Sequence, residues 1–432
     1  MKLTKQSELL MSFFIENKCI TSLPQTKKTD NIFLDLYYEL KDAENYINSL
    51  KKQQQKGEPF YNVVITEIQT YSQIAKPTSF PVDGFPEKIR EHINEKTMNQ
   101  LCYSITFMGR NVKIYFLVEE LNPEKNIKVY NSYVDHILMW LVITNEYASK
   151  TCAEVLTIYL YFTSLKKEMP ASDVSILGEY HVNTAFTMTC PKNAEIVIFR
   201  KEEWFKVFLH ETFHNFGLDF SDMNNRMCNA KILNIFPVKS DVNLFEAYAE
   251  FWAKIMNIVF CSYLNLKNKS DVKEFLTNTE FFANFERIYS FFQMVKVLDF
   301  MNLSYDQLYK KGPQYDALRD TLYKEHTSVL SYYVITLILM DNYQLFIDWC
   351  NINNTSLLQF KKTTSNQEKF CDFILTKYKS SVFLKRIRCV ESLLEMVQTT
   401  ITKQKSTKKN KKIDKDMFYI MNNLRMTICE LG

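Results

Sequence analysis

The sequence predicts an α+β fold: a small mixed sheet and a helix that follows it, above a mainly helical lower half, with an N-terminal α+β region. Three observations lead there. Runs of β-branched and aromatic residues bounded by turn residues fall before residue 201. Apolar residues on helical spacing dominate after residue 219. Only 7 of the 432 residues are glycine, few for a protein built on tight β-turns. This length exceeds what one core usually serves, and 46% hydrophobic residues, with 14% aromatics, allow two or three lobes. The expected divisions are an N-terminal region at 1–125, an upper subdomain at 126–218, a helical lower subdomain at 219–400, and a basic linker with a C-terminal helix at 401–432.

Taken in order, the first region has a helical pattern around Phe33–Leu50, a Lys/Gln-rich stretch at Lys51–Lys56, and a β-hairpin at Tyr103–Val118 turning on Gly109-Arg110-Asn111. Tyr133, Ile137, Leu138, Leu141 and Val142 mark Tyr130–Tyr147 as a backing helix. Glu154–Phe162 reads as a buried strand. Val182–Thr189 and Glu195–Arg200 read as two more, joined by a turn at Cys190-Pro191-Lys192-Asn193. Within the segment Phe205–Phe220 a helix follows and ends at Gly217, where a helix C-terminus favours glycine. The most apolar stretch, Val329–Met340, is shorter than the roughly 18 residues of a membrane span and contains Ser331 and Thr336, so no membrane partner is expected. Lys403–Lys412 carries six lysines and no apolar residue and reads as a solvated linker; the alternative is contact with nucleic acid or another acidic surface.

The helix before Gly217 contains His210-Glu211-Thr212-Phe213-His214, a complete HExxH. Residues four apart share a helical face, so His210 and His214 can aim two imidazoles at one point. Zn²⁺ takes such nitrogen ligands tetrahedrally, and Glu211 beside the first of them is placed to accept a proton from a water in the open position. The bland alternative is two histidines packed on an ordinary amphipathic helix. Downstream, Glu246 and Glu250 are again four apart on a helix rich in Ala and aromatics, which argues against a fully solvated acidic face. Glu246 is the candidate third ligand. Glu250 is the candidate partner for the free N–H of a ligand histidine.

On these residues the chain resembles the gluzincin branch of the zincin metallopeptidases, which pairs HExxH with a downstream helix carrying a ligand Glu and an acidic residue four positions later. The resemblance implies a zincin-like catalytic core, Zn²⁺ as cofactor, a peptide or protein substrate, His210, His214 and Glu246 as ligands, Glu211 as the catalytic carboxylate and Glu250 behind them. The rival metzincin pattern also wants Gly217, but its last ligand position is Phe220, which cannot bind zinc. Asp219 and Asp222 lie out of register and remain the less favoured third ligands. The spacing from His214 to Glu246 is 32 positions (246 − 214), longer than the shortest gluzincin spacings. The family also uses an edge strand to pair with substrate backbone. Asn183-Thr184-Ala185-Phe186, and Asn183 and Ala185 in particular, are the candidates, although an internal strand fits the sequence equally. It further uses a Tyr or His from the lower subdomain to donate to the oxyanion. Tyr333 is the first choice, then Tyr332, then His326, against the alternative that both tyrosines are core aromatics.

Composition bounds the partners. A net charge of +4 is too mild to imply nucleic acid by itself. The 10 cysteines are scattered with no CxxC, which reads as reduced thiols and a cytosolic setting, or host cytoplasm or virion if the Lys-, Asn- and Ile-rich composition reflects a viral gene. The competing class of function is a structural or interaction protein, for instance virion-associated, that keeps the fold, with or without its metal, and has little or no peptidase activity; an intact Glu211 counts against it.

Overall fold

The computed structural model describes residues 2–53, 60–78, 80–81, 84–406 and 415–432. Its centre is one six-stranded mixed sheet made of β1 (Asn62–Glu67), β2 (Asn99–Phe107), β3 (Arg110–Val118), β4 (Val155–Phe162), β5 (Ala185–Thr187) and β6 (Asn193–Ile198), in the order β1-β2-β3-β4-β6-β5. The first three strands form an antiparallel meander. The β2–β3 turn is Met108-Gly109, with φ of 51° and 76°. Two central residues at positive φ are what a tight hairpin needs to match strand twist, so the turn lies one residue ahead of the Gly109-Arg110-Asn111 expected from sequence. β3 pairs with β4 in parallel, a geometry that requires a crossover, and the helix Ile127–Tyr147 supplies it. β4 and β6 are also parallel, and β5 runs antiparallel to β6 at the sheet edge.

Period-two alternation explains why the sheet is covered on both faces. Leu156, Ile158, Leu160 and Phe162 of β4 enter the main core, while Tyr159 and Tyr161 face a second cluster with Ile89 and Ile93 of the helix Glu87–Lys96. The sheet draws on both sides of residue 125: β1–β3 come from before it and β4–β6 from after it. The N-terminal helix Lys27–Gln53 also packs on Ile127–Tyr147, Leu244–Leu264 and Val272–Phe300.

Below the sheet the structure is helical. Leu244–Leu264 is the central helix, buried on every side from Ala247 to Tyr263, as expected of a helix apolar almost all round. Val329–Met340 becomes a π-helical stretch, Leu330–Ile335, running into Thr336–Asp341. That unit meets the helix Tyr343–Asn353 at 91°, and among the described residues no single helix is long and apolar enough to cross a membrane. The C-terminal residues pack into the core. Leu424, Ile428 and Cys429 are buried, and the backbone N–H groups of Met426 and Thr427 donate to Glu203, those of Ile428 and Cys429 to Glu286. Most of Lys403–Lys412 lies outside the described residues.

Two disulfides, Cys19–Cys389 and Cys152–Cys190, correct the expectation of reduced thiols throughout; the thiol argument for a cytosolic setting goes with it. Their partners are 370 and 38 residues apart, so only the tertiary fold pairs them.

The helix bearing HExxH spans Trp204–Asn215. It is tied to the crossover helix where Trp140 Nε1 donates to Thr212 Oγ1 at 2.6 Å, with both residues fully buried. Thr212→Val keeps the shape and removes the acceptor. It should cost about 1–3 kcal/mol, the penalty of a stranded buried N–H. Chemical denaturation that finds no loss would show that Trp140 has another partner.

Candidate metal centre

The motif helix ends where the sequence anticipates. Gly217 takes φ +64°, its N–H reaches the His214 carbonyl at 3.0 Å, and Leu218 N–H reaches the Phe213 carbonyl at 2.8 Å. This pair of bonds is a Schellman closure. It turns the chain back on the helix end and brings Asp219 onto the side chain of His214.

The central helix approaches from below. Glu246 lies in its first turn, partly exposed, and Glu250 one turn on, buried. The Oε2 of Glu246 is 3.0 Å from His210 Nε2 and 3.4 Å from His214 Nε2, and the two Nε2 atoms are 3.1 Å apart. On the far side of each ring, His210 Nδ1 donates to Glu250 Oε2 at 3.0 Å and His214 Nδ1 donates to Asp219 Oδ2. Ionised carboxylates only accept, so the ring protons belong on the Nδ1 atoms. The neutral rings then turn bare Nε2 lone pairs towards each other and towards a carboxylate. Three acceptors at such separations need a positive charge between them, either a further proton on an Nε2 or a metal ion. Ligand bonds of about 2.0–2.2 Å to one tetrahedral ion set neighbouring ligand atoms about 3.3–3.6 Å apart, so the three atoms need move apart by only a few tenths of an ångström to take one. His210, His214 and Glu246 thus form a group able to hold a metal ion.

The surrounding charge favours a positive species at this place, proton or metal ion. Four carboxylates (Glu211, Glu246, Glu250 and Asp219) surround the two imidazoles, with one ammonium, Lys206, donating to both oxygens of Glu250 at 2.8 and 2.9 Å. Burial pushes the Glu246 carboxyl up, but His214 and His210 outweigh it and hold it far below the usual carboxylate range. Burial pulls His214 down, and the charges of Glu246 and Asp219 override it to raise the imidazole well above its ordinary value. Burial raises Glu211, with the two histidines opposing.

The remaining sequence candidates fall as follows. Tyr333 is turned away: its hydroxyl donates to the Leu424 carbonyl at 2.9 Å in the core. Its neighbour Tyr332 faces the centre, donating to Glu246 Oε2 at 3.0 Å with its ring beside His210. Adjacent residues on a helix project in different directions, and only one of the two can face the metal group. His326 lines a separate polar groove with Asn243, Thr327 and Ser328. Asp219 orients His214, and Asp222 pairs at the surface with Lys362; neither joins the three converging ligand atoms. The strand expected over Val182–Thr189 is only Ala185–Thr187, because Glu179–Val182 forms a helical turn whose end is held by Arg200, through the carbonyls of Tyr180 and Asn183. β5 is an edge strand, and Asn183 and Ala185 both line the cavity beside His210 and Glu211. The Asn183 side chain is already engaged, accepting from Thr327 Oγ1 at 2.6 Å.

Sequence reasoning missed Lys206 and the orienting role of Asp219. Lys206 had a signal, since it precedes His210 by four residues and shares its face. Asp219 had only the chain reversal at Gly217.

Outer-sphere carboxylates fix ring orientation, so Asp219→Asn and Glu250→Gln should each weaken binding of a divalent transition ion about 10–100-fold. Titration calorimetry on the folded variants checks this. Unchanged affinity in both would remove the argument for oriented Nε2 lone pairs.

No family model, curated protein or solved structure matches the chain, so the functional reading rests on this geometry.

Proposed function

We propose that the protein is a zinc-dependent peptidase with a zincin-like, gluzincin-type core. The observation that carries the reading is the convergence of two carboxylate-oriented imidazoles and Glu246, with Glu211 buried and lining a cavity together with His210. The donor set of two imidazole nitrogens and one carboxylate suits Zn²⁺, and it leaves a fourth position free. Bound there, zinc supplies a Lewis acid and a water of lowered pKa.

The chain's own groups supply the rest. The Glu211 carboxylate takes the proton of the attacking water and hands it to the leaving amine. The Tyr332 hydroxyl, which donates to Glu246, is the group at the centre suited to donate to an oxyanion formed at the scissile carbonyl, and as a neutral donor it adds no charge to compete with the ion. Edge strand β5 offers unpaired backbone groups along the cavity for an extended peptide. The order of crossover helix, β4, antiparallel edge β5, β6 and motif helix supports the zincin-like assignment.

Zinc-loaded protein incubated with a mixture of short peptides, with products read by mass spectrometry, tests the reading. Glu211→Gln should retain zinc and lose about 10²- to 10⁴-fold in turnover. Tyr332→Phe should lower kcat about 10²-fold with little change in KM, whereas Tyr333→Phe should leave kcat near wild type. Full zinc occupancy with no cleavage of any peptide would favour a structural metal instead.

A further inference from the structure

The C-terminal end of the motif helix rests on the Cys152–Cys190 disulfide. Cys152 precedes β4, and Cys190 lies in the turn between β5 and β6. A Cβ added at Gly217 would meet Cys190 Cβ at 3.6 Å and Cys152 Sγ at 3.9 Å, so the bridge packs on the glycine that closes the helix. Cys190 N–H donates to the carbonyl of His214 itself at 3.3 Å. The neighbouring residue braces the other partner of that histidine. The Ser221 hydroxyl donates to Asp219 at 2.8 Å, which leaves its oxygen to accept from Thr189 Oγ1 at 2.9 Å, and Asp219 orients His214. On the far side of the bridge, Arg110 donates to the carbonyls of Cys152 and Ala153 and lies over the Phe216 ring, 5.0 Å from its centre.

Cys190 has a φ of 47°. Only glycine takes the left-handed region without penalty, so a cysteine stays there when something holds it. The bridge to Cys152, which is buried, is that hold. The strands nearby do not depend on it. Ala153 N–H donates to the Pro191 carbonyl at 2.8 Å and Val155 N–H to that of Lys192 at 3.2 Å. Opening the bridge therefore frees Cys190 to leave the left-handed region, and its bond to His214 with it, while the sheet stays paired.

We propose that the Cys152–Cys190 bridge is a redox-sensitive site that sets the affinity of the metal centre through the end of the motif helix; this rests on the metal-centre reading and needs no peptidase activity. The reductant is a thiol, free or on a protein. Its thiolate attacks the half-buried Cys190 at Sγ, the S–S bond breaks, and Cys152 leaves as a thiolate that takes up a proton. A second reductant thiol resolves the mixed disulfide, so the chain gains two thiols and the reductant becomes a disulfide. His214 then loses the brace on its carbonyl, and Asp219 the brace through Thr189 and Ser221. Partners that orient a ligand histidine govern metal affinity about 10–100-fold.

Zn²⁺ titrated calorimetrically into metal-free protein, before and after treatment with tris(2-carboxyethyl)phosphine, tests this. Peptide mapping after alkylation reports which bridges have opened. The reduced protein should bind Zn²⁺ about 10–100-fold more weakly while its thermal unfolding stays cooperative. Cys152→Ser with Cys190→Ser should bind as the reduced protein does and no longer respond to the phosphine. Cys19→Ser with Cys389→Ser, which removes the distant bridge, should respond as wild type does. In the metal-free protein, reduction should also speed hydrogen exchange at the Gly217 and Leu218 amides about tenfold or more, with the central helix Leu244–Leu264 unchanged. Equal affinity in the two redox states of the wild type overturns the proposal, even if neither serine pair folds. So does a loss that appears only with global unfolding, a response that follows Cys19–Cys389, or unchanged exchange at Gly217 and Leu218. No Zn²⁺ binding by the oxidised protein is a different result: it removes the metal-centre reading, and the proposal with it.

Discussion

The two Nδ1–H bonds, His210 to Glu250 and His214 to Asp219, are the constraint on which the centre depends. An imidazole has one lone pair to give when neutral, and its other nitrogen decides where that lone pair points. With one proton held on each outer side, the inner nitrogens face Glu246 and each other, placed to take a further proton or a metal ion. Acceptors do not gather at about 3 Å in a buried site without something positive among them. The rest of the site follows from keeping those two carboxylates charged and in place.

Each is kept by a different device. Glu250 is held by Lys206, one turn before His210, so the motif helix carries both the ligand and the cation that fixes the ligand's partner. Asp219 is held locally: its other oxygen accepts from the N–H and hydroxyl of Ser221. A buried pair such as Lys206–Glu250 adds little net stability, because desolvation offsets most of its attraction. Its presence in a cavity wall beside the metal group therefore points to orientation. The fold accepts that cost because large apolar layers surround the site: Trp140 and Phe213 above, Phe251 and Trp252 below, all fully buried.

What the sequence disclosed and what it hid divide along a physical line. Relations within one helix were legible: the HExxH pair, the Glu246/Glu250 pair and the glycine that ends the motif helix all follow from a 3.6-residue period. Relations between segments were not. Nothing local says that β3 pairs with β4 across residue 125, that Cys19 meets Cys389, or that Met426 and Lys167 reach the cavity. Tyr332 and Tyr333 were an intermediate case. Helical spacing shows that only one can face the centre, but it does not give the phase of a segment whose hydrogen bonding departs from the α pattern.

That departure has a purpose in the architecture. Leu330–Ile335 is π-helical, and single π turns tend to occur where a helix must present a side chain out of its regular phase. Here the stretch has two obligations on adjacent residues. Tyr332 must reach Glu246 in the metal group, and Tyr333 must reach the Leu424 carbonyl of the C-terminal segment. The same C-terminal segment binds Glu203 at the start of the motif helix through the N–H groups of Met426 and Thr427. The tyrosine pair and the C-terminal residues therefore close a loop of contacts: motif helix to C-terminus, C-terminus to π turn, π turn to Glu246, Glu246 back to the motif helix. The C-terminal segment is thus one side of the frame that sets the distance between the two helices bearing His210, His214 and Glu246.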